Sequence, residues 1–293
     1  MKVLDVAELL LLAALWGGSF LFMRIAAPVI GPIWLIELRV LLAGLALLPL
    51  LIRLNLWHEV RRNWLALFII GSINSAIPFA LLAYSSISLP AGFTSILNAT
   101  TPLFGTIVAA IWLKEKLSVS QTIGFILGFI GVVILVGWKE VAAIPTFFMA
   151  IAAGLLAALM YAIAAPYIKQ KLTGVPSLAV ATGSQLGAAL LLIPALPLTI
   201  PQRSPTITTI VAIFGLALLS TAFAYILYFR LIQKVGSTQA LTVAYLIPLF
   251  AMLWGYLFLQ EAITISMIVG CSLILLGTAI ANSLIQVDFA NRN

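Results

Sequence analysis

Residues 98–116 read NATTPLFGTIVAAIWLKEK, and residues 244–262 read AYLIPLFAMLWGYLFLQEA. Shifting the first stretch by 146 positions places Pro102, Leu103 and Phe104 on Pro248, Leu249 and Phe250, and Glu115 on Glu261. The same shift carries Gly124 onto Gly270 and Gly131 onto Gly277. Nearer the start, a shift of 144 carries the run Leu11 to Leu15 (LLAAL) onto Leu155 to Leu159. The chain is therefore written twice, and the fold must be a doubled one.

What is doubled is set by composition. The 293 residues are 63% hydrophobic and only 8% charged, with a mean hydropathy of +1.22; soluble domains carry roughly 25% charged residues. Too few charges are present to solvate a globule of this size, so the chain reads as an all-α polytopic membrane protein. A spanning helix needs about 20 apolar residues. Apolar runs bounded by charges, Pro or Gly predict ten spans near 6–25, 33–52, 64–85, 91–112, 119–137, 146–168, 177–198, 207–229, 238–258 and 265–285. The first resembles a signal peptide in having Lys2 before an apolar stretch, but that stretch runs on to Met23 and Asp5 and Glu8 weaken its front, so it is kept as a helix.

Lys and Arg orient the spans. With the N-terminus inside, eleven fall in inner loops (Lys2, Arg53, Arg61, Arg62, Lys114, Lys116, Lys169, Lys171, Arg230, Lys234, Arg292) and three in outer ones (Arg24, Lys139, Arg203), while Arg39 lies within a span. Both termini are thus expected on the cytoplasmic side of the inner (plasma) membrane. Five spans per copy make the second copy enter from the opposite face, giving residues 1–140 and 141–293 inverted topology. The basic hairpin at Lys114, Glu115 and Lys116, matched by Gln260, Glu261 and Ala262, agrees. The net charge of +7 comes from scattered loop residues and calls for no nucleic acid. One cysteine, Cys271, rules out an intrachain disulfide or thiolate cluster, and the single histidine, His58, lies in a loop. No metal and no cofactor is expected.

These residues resemble a family. Trp16 to Phe20 (WGGSF), Glu37 to Arg39 (ELR), and two Pro-Leu-Phe helices each followed by a Glu hairpin are similar to the drug/metabolite transporter superfamily, and within it to the EamA-type exporters. The resemblance covers nearly the whole chain. It implies two inverted five-helix repeats around a central cavity and export of amino acids or related metabolites. Tyr and Trp on the cavity-side helices also resemble the aromatic amino acid exporter branch.

A proline inside a span removes one donor and frees the carbonyl four residues earlier. Pro78, Pro102 and Pro248 would free the carbonyls of Asn74, Asn98 and Ala244. The spacing Asn-xxx-Pro occurs twice, placing an amide beside an interrupted turn, with Thr101 adjacent to the second. Such groups suit a polar substrate head at the midplane, or they bridge neighbouring helices. Trp16, Phe20, Tyr84, Tyr161, Tyr225, Tyr228, Tyr245 and Trp254 form an aromatic set. Of these Trp16, Tyr84, Tyr161, Tyr225 and Tyr245 are candidate substrate contacts, the alternative being lipid-facing or packed rings.

Carboxylates are scarce within spans. Glu37 is the one well inside, and it could couple with Arg39 or each could pair with a neighbouring helix or snorkel. Arg230 with Lys234 could draw an anion from the cell, as basic residues near here contact substrate in related sugar-phosphate carriers, but positive-inside anchoring is the favoured reading. Glu115 and Glu261 are expected to cap or pin the helices that follow them, with gating as the alternative. Facilitated or exchange-type alternating access, with a small-molecule substrate, a monomer or weak homodimer, and no catalysis, is the resulting expectation. The rival is proton-coupled efflux of hydrophobic cations through Glu37 or Glu8. An integral membrane enzyme is disfavoured because no His or Asp lies in a span.

Overall fold

Each apolar run becomes one helix, and the ends fall where local chemistry stops it. A computed structural model describes residues 2–112, 117–137, 145–201 and 203–282. Its spanning helices are α1 (Val3–Ile30), α2 (Pro32–Arg53), α3 (Trp64–Ser88), α4 (Ala91–Trp112), α5 (Val119–Val136), α6 (Pro145–Lys171), α7 (Ser177–Leu198), α8 (Ile207–Val235), α9 (Gln239–Leu259) and α10 (Ile265–Ala281). No strand occurs among the described residues. Among the described residues nine helices are long and apolar enough to cross a membrane, and α10 is a shorter apolar helix. The expectation that Glu115 pins α5 falls outside the described residues, as do Lys139 and Arg292.

The links are short because the caps are local. Gly31, with φ of 79°, turns α1 straight into Pro32 at the first position of α2. Ser118 and Gln121 cap α5 reciprocally, and the hydroxyls of Thr206 and Thr264 accept the Thr209 and Met267 amides to begin α8 and α10. Short links force successive helices to run in opposite directions, so odd-numbered helices begin at one end of the bundle and even-numbered ones at the other. Outward faces carry exposed Ile111, Phe129, Leu190 and Phe258, as a lipid-facing surface requires.

Packing obeys an approximate two-fold relation that exchanges α1–α5 with α6–α10. The helices α5 and α10 lie side by side, as do α2 and α7; α1 packs on α8 and α9 as α6 packs on α3 and α4; α3 packs on α7 as α8 packs on α2. The α5–α10 seam shows the relation at atomic scale. A Cβ on Gly124 would lie 2.4 Å from the Gly277 carbonyl and one on Gly277 2.5 Å from the Gly124 carbonyl, while Gly131 and Gly270 face each other at 2.9 and 2.8 Å. Only hydrogen in place of a side chain permits so close an approach. Wide π turns recur at matching places, Ser72–Ala76 in α3 and Gly215–Phe223 in α8. The protein is a ten-helix membrane protein in two inverted repeats.

Candidate functional site

Between the halves lies a cavity of about 650 Å³, large enough for a small metabolite. Its wall takes residues from α1 (Trp16 to Met23), α2 (Arg39), α3 (Asn74 to Leu82), α4 (Ser95 to Pro102), α6 (Tyr161), α8 (Ser220 to Tyr228), α9 (Leu241 to Pro248) and α10 (Leu275, Thr278), with Asn282 just beyond. The wall thus runs from mid-bundle toward the end at which α1 and α9 begin.

Broken helices form much of that wall. In α4 the helix stops at Asn98 and restarts at Thr101. The carbonyl freed by Pro102 is met not by an amide but by the hydroxyl of Thr101, which donates to Asn98 O at 2.7 Å, while Thr100 donates to Leu97 O at 2.6 Å. The Asn98 Oδ1 stays buried without a partner. Before Pro78 the chain widens into the π turn, where the Ile77 amide reaches back to Ser72 O. Pro78 is buried but does not line the cavity, and Tyr84 does not line it either.

Aromatic rings line the space. Trp16 packs on Tyr228 with ring centroids 5.1 Å apart, Tyr225 stacks on Phe229 at 5.9 Å, and Tyr161 meets Phe79 at 6.3 Å. Tyr245 accepts a hydrogen bond from Asn282 at 3.3 Å. Close to Trp16, Ser220 donates to Leu15 O at 2.6 Å and Trp254 donates to Ala14 O at 3.0 Å, tying α8 and α9 to α1. Gly17 allows this contact, since a Cβ there would lie 2.7 Å from the Phe250 side chain. Trp254 is therefore a helix tie and lies outside the wall.

Among the sequence candidates, Trp16, Asn74, Asn98, Thr101, Pro102, Tyr161, Tyr225, Tyr245 and Pro248 all reach the one cavity. Glu37 and Arg39 part company. Both are buried, but Glu37 lies away from the wall with one oxygen unpartnered, and Arg39 is in the wall. Neither snorkels, and no acid pairs with Arg39 among the described residues. Its Nε donates to Thr221 Oγ1 at 3.0 Å and its guanidinium lies 3.5 Å from the centre of the Phe79 ring. Arg230 is not in the wall; with Lys234 it binds Glu8, at 3.0 and 2.8 Å, joining the start of α1 to the end of α8. Sequence reasoning passed over Ser19, Ser95, Ser220 and Thr278 as wall residues. The available signal for Tyr228 was its spacing of three from Tyr225, which puts both on one helix face.

At the far end polar side chains tie the helices together. Arg24 of α1 pairs with Glu261 at 3.1 Å and donates to the carbonyls of Ser86 at 2.9 Å and Ile87 at 2.6 Å. The second oxygen of Glu261 accepts the Ala91 amide at 2.9 Å. One carboxylate thereby fastens the α9–α10 link to α1 and to the α3–α4 corner.

The model of the EamA-like transporter family matches residues 6–137 and 148–283. The chain is 25% identical to the uncharacterized transporter YoaV of Bacillus subtilis (strain 168) over 266 residues, 90% of this chain and 91% of that one. It is 26% identical to protein PecM of Dickeya dadantii (strain 3937) over 262 residues, 87% and 84% of the two chains. A chain of known crystal structure, 18% identical, shares the fold with a TM-score of 0.65 over 97% of this chain and 98% of its own length. Two repeats enclosing one cavity, each matched by the family model, lead to a single conclusion: this protein belongs to the EamA-like transporter family.

Proposed function

We propose that the protein exports amino acids, aromatic ones included, and related small metabolites across the inner membrane, by facilitated or exchange-type alternating access. The observation carrying this proposal is the cavity wall: aromatic rings beside interrupted backbone and amide groups, with no carboxylate among its described residues. Rings supply surface for an apolar side chain, and the polar groups where α4 breaks between Asn98 and Thr101 and where α9 is interrupted at Thr242 suit a small polar head. The units 1–140 and 141–293 rock against each other about the α5–α10 seam, and the chain works as a monomer or weak homodimer. If the basic loops face the cytoplasm, the termini lie inside, the cavity opens to the cell interior and the Arg24 latch seals the outside. Efflux of hydrophobic cations is less well supported, because Glu37 lies off the wall and a cation would meet Arg39 instead.

Counterflow in proteoliposomes tests the proposal. Labelled phenylalanine or leucine should exchange against unlabelled amino acids without a proton gradient. Failure of every amino acid, together with uptake of cationic dyes once a pH gradient is imposed, would sink it.

A further inference from the structure

We infer that Arg39 is the anchor for a substrate carboxylate, so that the cavity selects small monocarboxylates with an apolar or aromatic body and treats an α-ammonium group as dispensable. This rests on the cavity being the transport site.

Arg39 carries a charge that no acid among the described residues answers. Arg39 is 5% exposed, near the middle of the apolar helix α2, where an ionised group marks function unless it is paired. Every other described carboxylate is engaged elsewhere or out of reach. Glu8 holds Arg230 and Lys234, Glu261 holds Arg24, Glu59 lies beside His58 and Asn63, and Asp5 accepts the Lys2 amide. Glu37 is two positions along the same helix and off the cavity wall. Among the described residues lining the cavity, Arg39 is the one that is charged.

The guanidinium is also held in a fixed pose. Thr221 takes Nε at 3.0 Å, and the Phe79 ring lies under its face at 3.5 Å. Of five N–H donors, the four on the two Nη nitrogens have no protein acceptor among the described residues, and neither nitrogen is sealed from the cavity. What remains is the end-on fork, whose geometry matches the two oxygens of a carboxylate. A single fork, with no second cation among the wall's described residues, suits one negative charge better than a phosphate dianion. Around it the phenol-bearing rings of Tyr161 and Tyr225 give apolar surface. Thr221 belongs to the π turn of α8, so the wide turn positions the fork.

An analogue series on one phenyl body separates the groups. Binding of 3-phenylpropionate, L-phenylalanine and phenethylamine to the purified wild-type protein would be read by thermal stabilisation and by tryptophan fluorescence, Trp16 being in the wall. Both acids should bind, with 3-phenylpropionate within about threefold of phenylalanine, and phenethylamine at least tenfold more weakly. Arg39→Lys, which keeps charge but loses the fork, should weaken both acids about tenfold, and Arg39→Gln should abolish their binding. Equal binding of the amine and the acids, acid binding undiminished in Arg39→Gln, or no binding by any probe would overturn the inference; the wild-type series decides even where a variant fails to fold. Acid binding without counterflow in proteoliposomes would preserve the anchor and refute the transport proposal. Counterflow of phenethylamine equal to that of phenylalanine would refute the anchor and preserve transport.

Discussion

Asn98 and Tyr245 stand on α4 and α9, the helices that carry the repeated Pro-Leu-Phe stretch, one with a buried, unpartnered Oδ1 and the other reaching Asn282. Truncating either to Ala should abolish most counterflow in protein that inserts and elutes normally, whereas Tyr84→Phe, off the wall, should leave it unchanged. Normal transport by both Ala variants would remove them from the site. At this scale the sequence was informative about residue type and less so about pairing. Nine candidates reached one cavity because mid-span prolines, amides and aromatics are costly in lipid unless something uses them. Arg39 was harder to read. Its nearness to Glu37 suggested a couple, but a helix turns about 100° per residue, so neighbours two apart diverge, and only the three-dimensional wall shows which one meets the cavity. Pro78 misled because the preceding π turn absorbs its missing bond.

At the scale of helices, boundaries followed from hydropathy and cap chemistry, and α4 and α7 begin and end at the positions expected from sequence, Ala91–Trp112 and Ser177–Leu198. The π turns were illegible, since an added residue shifts an apolar helix without disturbing any polar pattern that could record it. The glycine seam was legible as a small-residue face but not in its pairing, which crosses the repeat: Gly124 meets Gly277, the counterpart of Gly131. Gly124→Val should drive side-chain carbons into a backbone carbonyl and destabilise the protein by about 1–3 kcal/mol, seen as a lower Tm in detergent. Gly105→Ala, where a Cβ meets nothing within 4 Å, is the control and should leave Tm unchanged or slightly raised. Equal Tm values for the two variants would mean that the seam is loose.

For the whole molecule, Arg24 and Glu261 hold the far end closed while the cavity extends toward the other. Glu261→Gln keeps the shape but discards the charge that grips Arg24, and charge-assisted bonds contribute about 1.5–3 kcal/mol. Even 1–2 kcal/mol shifts a two-state equilibrium by roughly 5- to 30-fold. In a Cys271→Ala background, a cysteine reporter made by Phe20→Cys should then react faster with a membrane-impermeant thiol reagent applied from the latch side. Unchanged labelling would show that the latch does not gate the cavity.

A surface in which Gly124 meets Gly277, and Gly131 meets Gly270, is isologous: each half offers the other the same patch. Such a surface needs no second gene to supply a complement. A single five-helix unit, inserted once in each direction, already presents both sides of it. Joining two copies end to end would fix their stoichiometry and let each differ separately, as Glu115 matches Glu261 while Lys114 and Lys116 stand against Gln260 and Ala262. The glycine seam can be understood as a homodimer interface kept inside one polypeptide.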